Sequence, residues 1–207
     1  MAYEAIIYDL DGTVINTFDM TIFPLIRIVK EELGVEMTYD ELRHYMSFSG
    51  LEVLERLGIK DIPVVYERWV RYVNAYEAKA RIYYNFDDII HSFNDKVVQA
   101  VVSSKNREQY AIDMADKNIQ DCFSAVVLLE DTKKHKPDAQ PLLHCANLLG
   151  IDPKKCLYIG DSLSDFESAK HAEMDFAVAS WGSLKLAEFK NPTYILQHPN
   201  DLLAIIL

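Results

Sequence analysis

The stretch Ala5-Ile6-Ile7-Tyr8-Asp9-Leu10-Asp11-Gly12-Thr13 sets the fold. Its four apolar residues run without alternation, as in a strand buried on both faces. The run ends in two aspartates one residue apart, then Gly and Thr, which favour a tight loop. Further along, residues 96–104 hold Val97-Val98-Gln99-Ala100-Val101-Val102, a β-branched strand ending in the hydroxyls of Ser103 and Ser104. Residues 124–129 and 156–159 read as a third and a fourth strand, the fourth running into Gly160 and Asp161. Residues 176–179 are a fifth, and 194–196 a sixth.

Helical stretches separate the later strands, over residues 106–117, 138–149 and 165–172. In the second, Ala139, Leu142, Leu143, Ala146 and Leu149 share one face, Pro141 sits in the first turn and Gly150 lies just past the end. Apolar strands alternating with helices predict an α/β fold, a Rossmann-like parallel sheet with helices on both faces. Residues 16–81 interrupt that alternation and read as helical throughout. Thr38 and Glu41 make a capping-box pattern. Leu51, Leu54 and Leu57 recur at threes before Gly58, and Pro63 opens a long helix through Trp69 to Ala80. Pro24 is expected to kink or restart the helix around it. The expected organisation is a core domain of residues 1–15 and 82–207, with an all-helical domain of residues 16–81 inserted in it.

The chain has 207 residues, enough to bury a core without staples. It carries 21 basic against 32 acidic residues, a net charge of −11. Such a surface repels phosphate backbones and anionic lipid, so neither nucleic acid nor a membrane is an expected partner. Cys122, Cys145 and Cys156 are odd in number and form no CxxC pair, which points to neither a zinc site nor a disulfide framework. A cytoplasmic setting is the simplest expectation, with no secretory leader and no bilayer-spanning run.

The chemistry lies at the strand ends. The first strand ends in Asp9 and Asp11, the second in Ser103, and the fourth in Asp161 with Asp165 four residues on; Lys136 precedes the helix leading to that fourth strand. In an open parallel sheet the carboxyl ends of the strands form the ligand crevice. Several carboxylates gathered there need a hard cation, and Mg²⁺ with oxygen ligands fits. Singly, each element has a plainer reading: a turn for Asp9 to Thr13, a strand end for Ser103, a solvated lysine for Lys136, a helix N-cap for Asp161 and Ser162. The order and spacing of all four favour a site.

These motifs resemble those of the haloacid dehalogenase-like superfamily of phosphohydrolases, in the branch with a helical cap after the first strand, and most of all its phosphoglycolate phosphatase-like group. Asp9-Leu10-Asp11-Gly12-Thr13 matches the first motif, Ser103 the second, Lys136 the third and Gly160-Asp161-Ser162-Leu163-Ser164-Asp165 the fourth. Ser180-Trp181-Gly182 is similar to a late Trp-Gly loop of the family. The chain departs at Ala139, where a second proline is frequent, and at Asn16, where Asp is common.

Chemistry and resemblance together imply a Mg²⁺-dependent phosphatase acting on a small phosphorylated metabolite. A phosphate monoester resists attack because its oxygens are negative, so a cation and a lysine must neutralise it. Asp9 is then the nucleophile and forms an aspartyl-phosphate. Asp11 is the acid on the leaving oxygen and the base on water. Asp9, Asp161 and the Asp11 carbonyl hold the metal, with Asp165 a further ligand or orienter. Ser103, Ser104, Lys136 and the backbone around Leu10 and Gly12 take the phosphoryl oxygens. In the cap, Phe48, Ser49, Gly50 and Leu51 resemble a substrate-facing loop, Gly50 permitting a tight turn; a plain helix connection is the other reading. A sugar-phosphate mutase of the same fold would use the same two aspartates. A phospho-accepting signalling receiver or an idle binding protein fits less well, since the acidic pair follows the first strand and every catalytic residue type is present.

Overall fold

The computed structural model describes residues 3–48, 50–76 and 80–206. The chain forms two compact units, Met1–Asn16 with Ile82–Leu207, and Thr17–Arg81. The first is built on six parallel strands: β1 (Ala5–Tyr8), β4 (Val98–Val102), β5 (Ala125–Val127), β6 (Cys156–Gly160), β7 (Asp175–Ala179) and β8 (Tyr194–Leu196). Their order is β5-β4-β1-β6-β7-β8, every pairing parallel. This is the α/β architecture expected from the apolar runs. A small pair, β2 (Ile15–Asn16) with β3 (Arg81–Ile82), stands where the chain leaves and re-enters this unit. At two residues each, these strands are too short to leave a pattern.

β1 and β6 are buried at every position, so both faces of the sheet are covered. Successive strand residues point to opposite faces. On one face Ala5 and Ile7 join Leu142, Cys145 and Ala146 of α7 (Gln140–Leu149) and Phe166 and Ala169 of α8 (Leu163–His171). On the other, Tyr8 meets Phe86 of α5 (Phe86–Ser92) edge-on at 5.8 Å. Of these, Ile7, Leu142 and Phe166 each contribute ~1.5–3 kcal/mol on burial, and truncating Leu142 to Ala would cost ~2–5 kcal/mol. Leu143, expected on the inner face of α7, is largely exposed, and Cys145 takes that place. The inner stripe runs 142, 145, 146, 149, one residue round from the expected one. α6 (Arg107–Met114) follows β4, and α9 (Leu203–Ile206) closes the unit.

The second unit holds α1 (Phe18–Leu33), α2 (Tyr39–Arg43), α3 (Gly50–Arg56) and α4 (Ile62–Asn74) around Ile22, Leu25, Ile28, Leu42, Leu54 and Trp69. The Thr38–Glu41 capping box is formed. Three expectations are corrected. α1 does not restart at Pro24 but runs through it as one helix, because burial of Ile22, Leu25, Ile28 and Val29 outweighs the ~3 kcal/mol that an internal proline costs. α4 begins with Pro63 in its first turn but stops at Asn74, short of Ala80. Leu51 is 50% exposed although its spacing matched Leu54, since a three-residue repeat drifts round a helix with 3.6 residues per turn. No helix among the described residues is long and apolar enough to cross a membrane.

Candidate active site

β1 lies between β4 and β6, and the chain reverses its direction of travel across the sheet there, so a crevice opens beyond the strands' carboxyl ends. The Asp9 N–H donates to Ile159 O at 2.8 Å, which seats the loop after β1 beside β6. Thr13, Val14 and Ile15 N–H groups all donate to Leu10 O, tightening that loop. Gly12 adopts φ +77° there, and a Cβ on it would overlap the Asp161 carboxylate. Its N–H donates to Ile15 O at 2.9 Å, so the loop itself takes up the amide that the sequence reading reserved for phosphate. A Cβ on Gly182 would overlap the Gly12 carbonyl, and Trp181 Nε1 donates to Thr13 O at 2.9 Å. The Trp-Gly loop is therefore packed directly on the aspartate loop.

Lys136 reaches the cluster from the segment before α7. Its Nζ donates to Asp9 Oδ1 at 2.7 Å, to Asp165 Oδ1 at 2.6 Å and to Tyr158 Oη at 3.1 Å. Tyr158 Oη in turn donates to Asp165 Oδ1 at 2.7 Å. Ser162 is the N-cap of α8, and Asp165 closes its capping box: Ser162 N–H and Oγ both donate to Asp165 Oδ2. Asp165 thus accepts four hydrogen bonds, two on each oxygen. One oxygen of Asp165 closes the cap of α8 while the other meets Lys136 and Tyr158.

Asp9, Asp161 and Asp165 can each bring a carboxylate oxygen within 4.8 Å of the others. Asp161 accepts a hydrogen bond from Thr13 Oγ1 at 3.2 Å. Burial, followed by the charges of Asp165 and Asp9, pushes Asp161 well above the usual carboxylate range. Burial also raises Asp9, to about 7, against the pull of Lys136 and with a push from Asp165 and Asp11. Burial would raise Asp165 too, but the charge of Lys136 and the bonds from Lys136, Ser162 and Tyr158 hold it below its ordinary value. Burial tends to discharge Lys136, and Asp165 and Asp9 outweigh that to keep it protonated. Three carboxylates face one ammonium here. That imbalance, on oxygen donors alone, fits a hard divalent cation held by Asp161 and Asp9.

Ser103 is buried at the end of β4, its Oγ accepting the Lys105 N–H at 3.2 Å. Ser104 is exposed. The Asp11 carboxylate turns to Lys105, whose Nζ lies 2.8 Å from its Oδ1. Lys105 was missed in the sequence, as was Tyr158. Lys105 follows a strand end by three residues, the one signal available; Tyr158 was hidden inside an apolar run. Of the residues compared with a substrate-facing loop, Phe48 and Gly50 pack within the helical unit. Arg56 stacks on the Phe48 ring at 3.8 Å, and a Cβ on Gly50 would meet the Tyr66 ring at 2.5 Å. Close packing on that ring, rather than a turn, calls for glycine here. Ser49 lies outside the described residues. Met37, Glu41, His44, Tyr45, Phe48 and Arg56 line a cavity of about 580 Å³ in that unit.

A model of the haloacid dehalogenase-like hydrolases matches residues 6–179. A phosphoglycolate phosphatase from Aquifex aeolicus is 28% identical over 210 residues, covering 98% of this chain and 96% of that one. The pyrophosphatase PpaX of Anoxybacillus flavithermus is 24% identical over 211 residues, covering 100% and 98%. Among solved structures, a haloacid dehalogenase-like family hydrolase from Streptococcus pneumoniae superposes with a TM-score of 0.82 at 20% identity, covering 99% of each chain. With its motifs at the carboxyl edge of this sheet, and a family match over most of its length, the chain belongs to the haloacid dehalogenase-like hydrolases.

Proposed function

We propose that this hydrolase is a Mg²⁺-dependent cytoplasmic phosphatase that cleaves small phosphorylated metabolites through an aspartyl-phosphate on Asp9. The observation that carries the reading is Lys136, held between Asp9 and Asp165 with Asp161 beside them. A phosphoryl group arriving at Asp9 brings negative oxygens to a carboxylate, and the barrier falls only if positive charge is already in place. Lys136 supplies one such charge, 2.7 Å from Asp9 Oδ1 and fixed by Asp165 and Tyr158. Asp161, Asp9 and the Asp11 carbonyl would hold the metal, with Asp165 steadying the cluster; when bound, Mg²⁺ supplies the remaining positive charge at the phosphoryl oxygens.

In the first half-reaction an Asp9 oxygen bonds to phosphorus, the ester P–O bond breaks, and Asp11 gives its proton to the leaving oxygen. In the second, Asp11 takes a proton from water as its oxygen attacks phosphorus, and the acyl phosphate P–O bond breaks to return Asp9. Ser103 Oγ, buried at the end of β4, would hold a phosphoryl oxygen. The relatives named for phosphoglycolate and for pyrophosphate make those two compounds the first substrates to try. Phosphate release from a panel of phosphoglycolate, pyrophosphate, sugar phosphates and nucleoside monophosphates tests the reading. Release with Mg²⁺ and its loss with a chelator are expected; full activity in the chelator would refute the metal assignment.

A further inference from the structure

Asp11, Lys105 and Asp113 form a second charged group beside the first. Lys105 Nζ lies 2.8 Å from Asp11 Oδ1 and 2.6 Å from Asp113 Oδ2. The lysine side chain is 10% exposed and the Asp113 side chain 2%, whereas that of Asp11 is 39%. Asp113 sits on α6 and is pinned from the same helix by Gln109 Nε2, which donates to its Oδ1 at 3.0 Å. Lys105 is fixed at its backbone as well: its N–H donates to Ser103 Oγ and its carbonyl accepts Leu129 N–H at 2.9 Å.

We propose that Lys105, anchored by Asp113, is a positioning residue that holds the Asp11 carboxyl in the one rotamer from which it serves the leaving group and the attacking water. The proposal rests on the acid–base role given to Asp11 above. An aspartate 39% exposed on a loop would otherwise spread over several rotamers. The clamp ties it to the segment after β4 and to α6, both distinct from its own loop. An anion-binding role for Lys105 fits worse: two carboxylates already face the single ammonium, leaving the group negative.

The test compares kcat/KM for phosphoglycolate and for p-nitrophenyl phosphate with Mg²⁺. Phosphoglycolate loses a basic alkoxide and needs the acid; p-nitrophenolate leaves without it. Asp11→Asn is the control and is expected to lower kcat/KM for phosphoglycolate far more than kcat/KM for p-nitrophenyl phosphate, since kcat/KM excludes the later dephosphorylation step. Lys105→Gln is expected to do the same on a smaller scale, by up to about 10²-fold on phosphoglycolate, the size of effect a 1 Å misplacement produces. Because Lys105 acts through Asp11, Lys105→Gln is expected to add nothing in the Asp11→Asn background. Lys105→Arg, which keeps the charge and a donor, is expected to restore part of the loss. If Lys105→Gln does not fold, Lys105→Gln with Asp113→Asn, which buries no lone charge, carries the same comparison. Equal losses on both substrates, or losses that multiply with Asp11→Asn, would overturn the proposal and leave Lys105 a partner of Asp113 only. An Asp11→Asn control that lowers kcat/KM for both substrates alike would instead overturn the acid role of Asp11 itself.

Discussion

Two lysines of the first unit each stand between two aspartates, and the pairs differ in one respect that matters. Lys136 joins Asp9 of the β1 loop to Asp165 of α8; Lys105 joins Asp11 of the same loop to Asp113 of α6. β6 and β4, which precede those helices, flank β1 on either side, so the sheet order itself delivers a helix carboxylate to each half of the loop. The difference is Asp161. It adds a third carboxylate to the first cluster, whose Asp9 side chain is only 8% exposed. The Asp11 side chain is 39% exposed. One construction thus makes a buried, over-negative pocket in need of a cation. The other makes an open carboxyl that meets solvent, as the acid–base role proposed for Asp11 requires.

The comparison breaks most sharply at Asp9. Asp9→Asn is expected to reduce turnover below about one per cent of wild type, a loss of at least ~2.7 kcal/mol of transition-state stabilisation, with an unchanged circular dichroism spectrum. Lys136→Met is expected to lower kcat by ~10²–10³ through loss of the charge at the phosphoryl oxygens. It also strands two buried carboxylates, and a loss of ~3–5 kcal/mol is expected in urea unfolding with chelator present.

The cation requirement separates the two clusters more finely. Mg²⁺ at 100 times its dissociation constant stabilises a protein by about 2.7 kcal/mol, so it is expected to raise the melting temperature of the wild-type protein. The same addition should leave Asp161→Asn unmoved, and equal shifts in both would place the cation elsewhere. The smallest effect tests what the clusters share. Gly182→Ala presses a Cβ on the Gly12 carbonyl, in the loop that carries both aspartates. A cost of ~1–3 kcal/mol in unfolding is expected, with loss of activity on alkyl and aryl phosphates alike.

Much of this was legible because a parallel sheet gathers its strand ends. Asp9, Ser103 and Asp161 each follow an apolar run, and Lys136 precedes a helix with Pro and Gly at its ends, so position along the chain implied position at one edge. Lys105 and Asp113 were not legible. They lie in a turn and a helix whose pattern says only that they are polar, and their pairing depends on how the chain folds back from the segment after β4 into α6. Tyr158 has the hydrophobic body of a strand residue, and its hydroxyl declares a role only once Asp165 is beside it. In the helical unit, Pro24, Gly50 and Leu51 misled because local propensity gives way to packing. Ile22 and Leu25 carry α1 through a proline, and the Tyr66 ring decides why residue 50 has no side chain.

The central claim is that Asp9 becomes phosphorylated during turnover. Asp11→Asn, mixed with p-nitrophenyl phosphate and Mg²⁺ and quenched in acid, should release a burst of p-nitrophenol near one per active site and then turn over slowly. General base catalysis is worth ~10²–10⁴-fold, enough to hold back the second step and resolve the burst. Peptide mass mapping of the quenched protein should then find the phosphoryl group on Asp9. A burst with the phosphoryl group on any other residue, or turnover with no phosphorylated protein, would contradict the account.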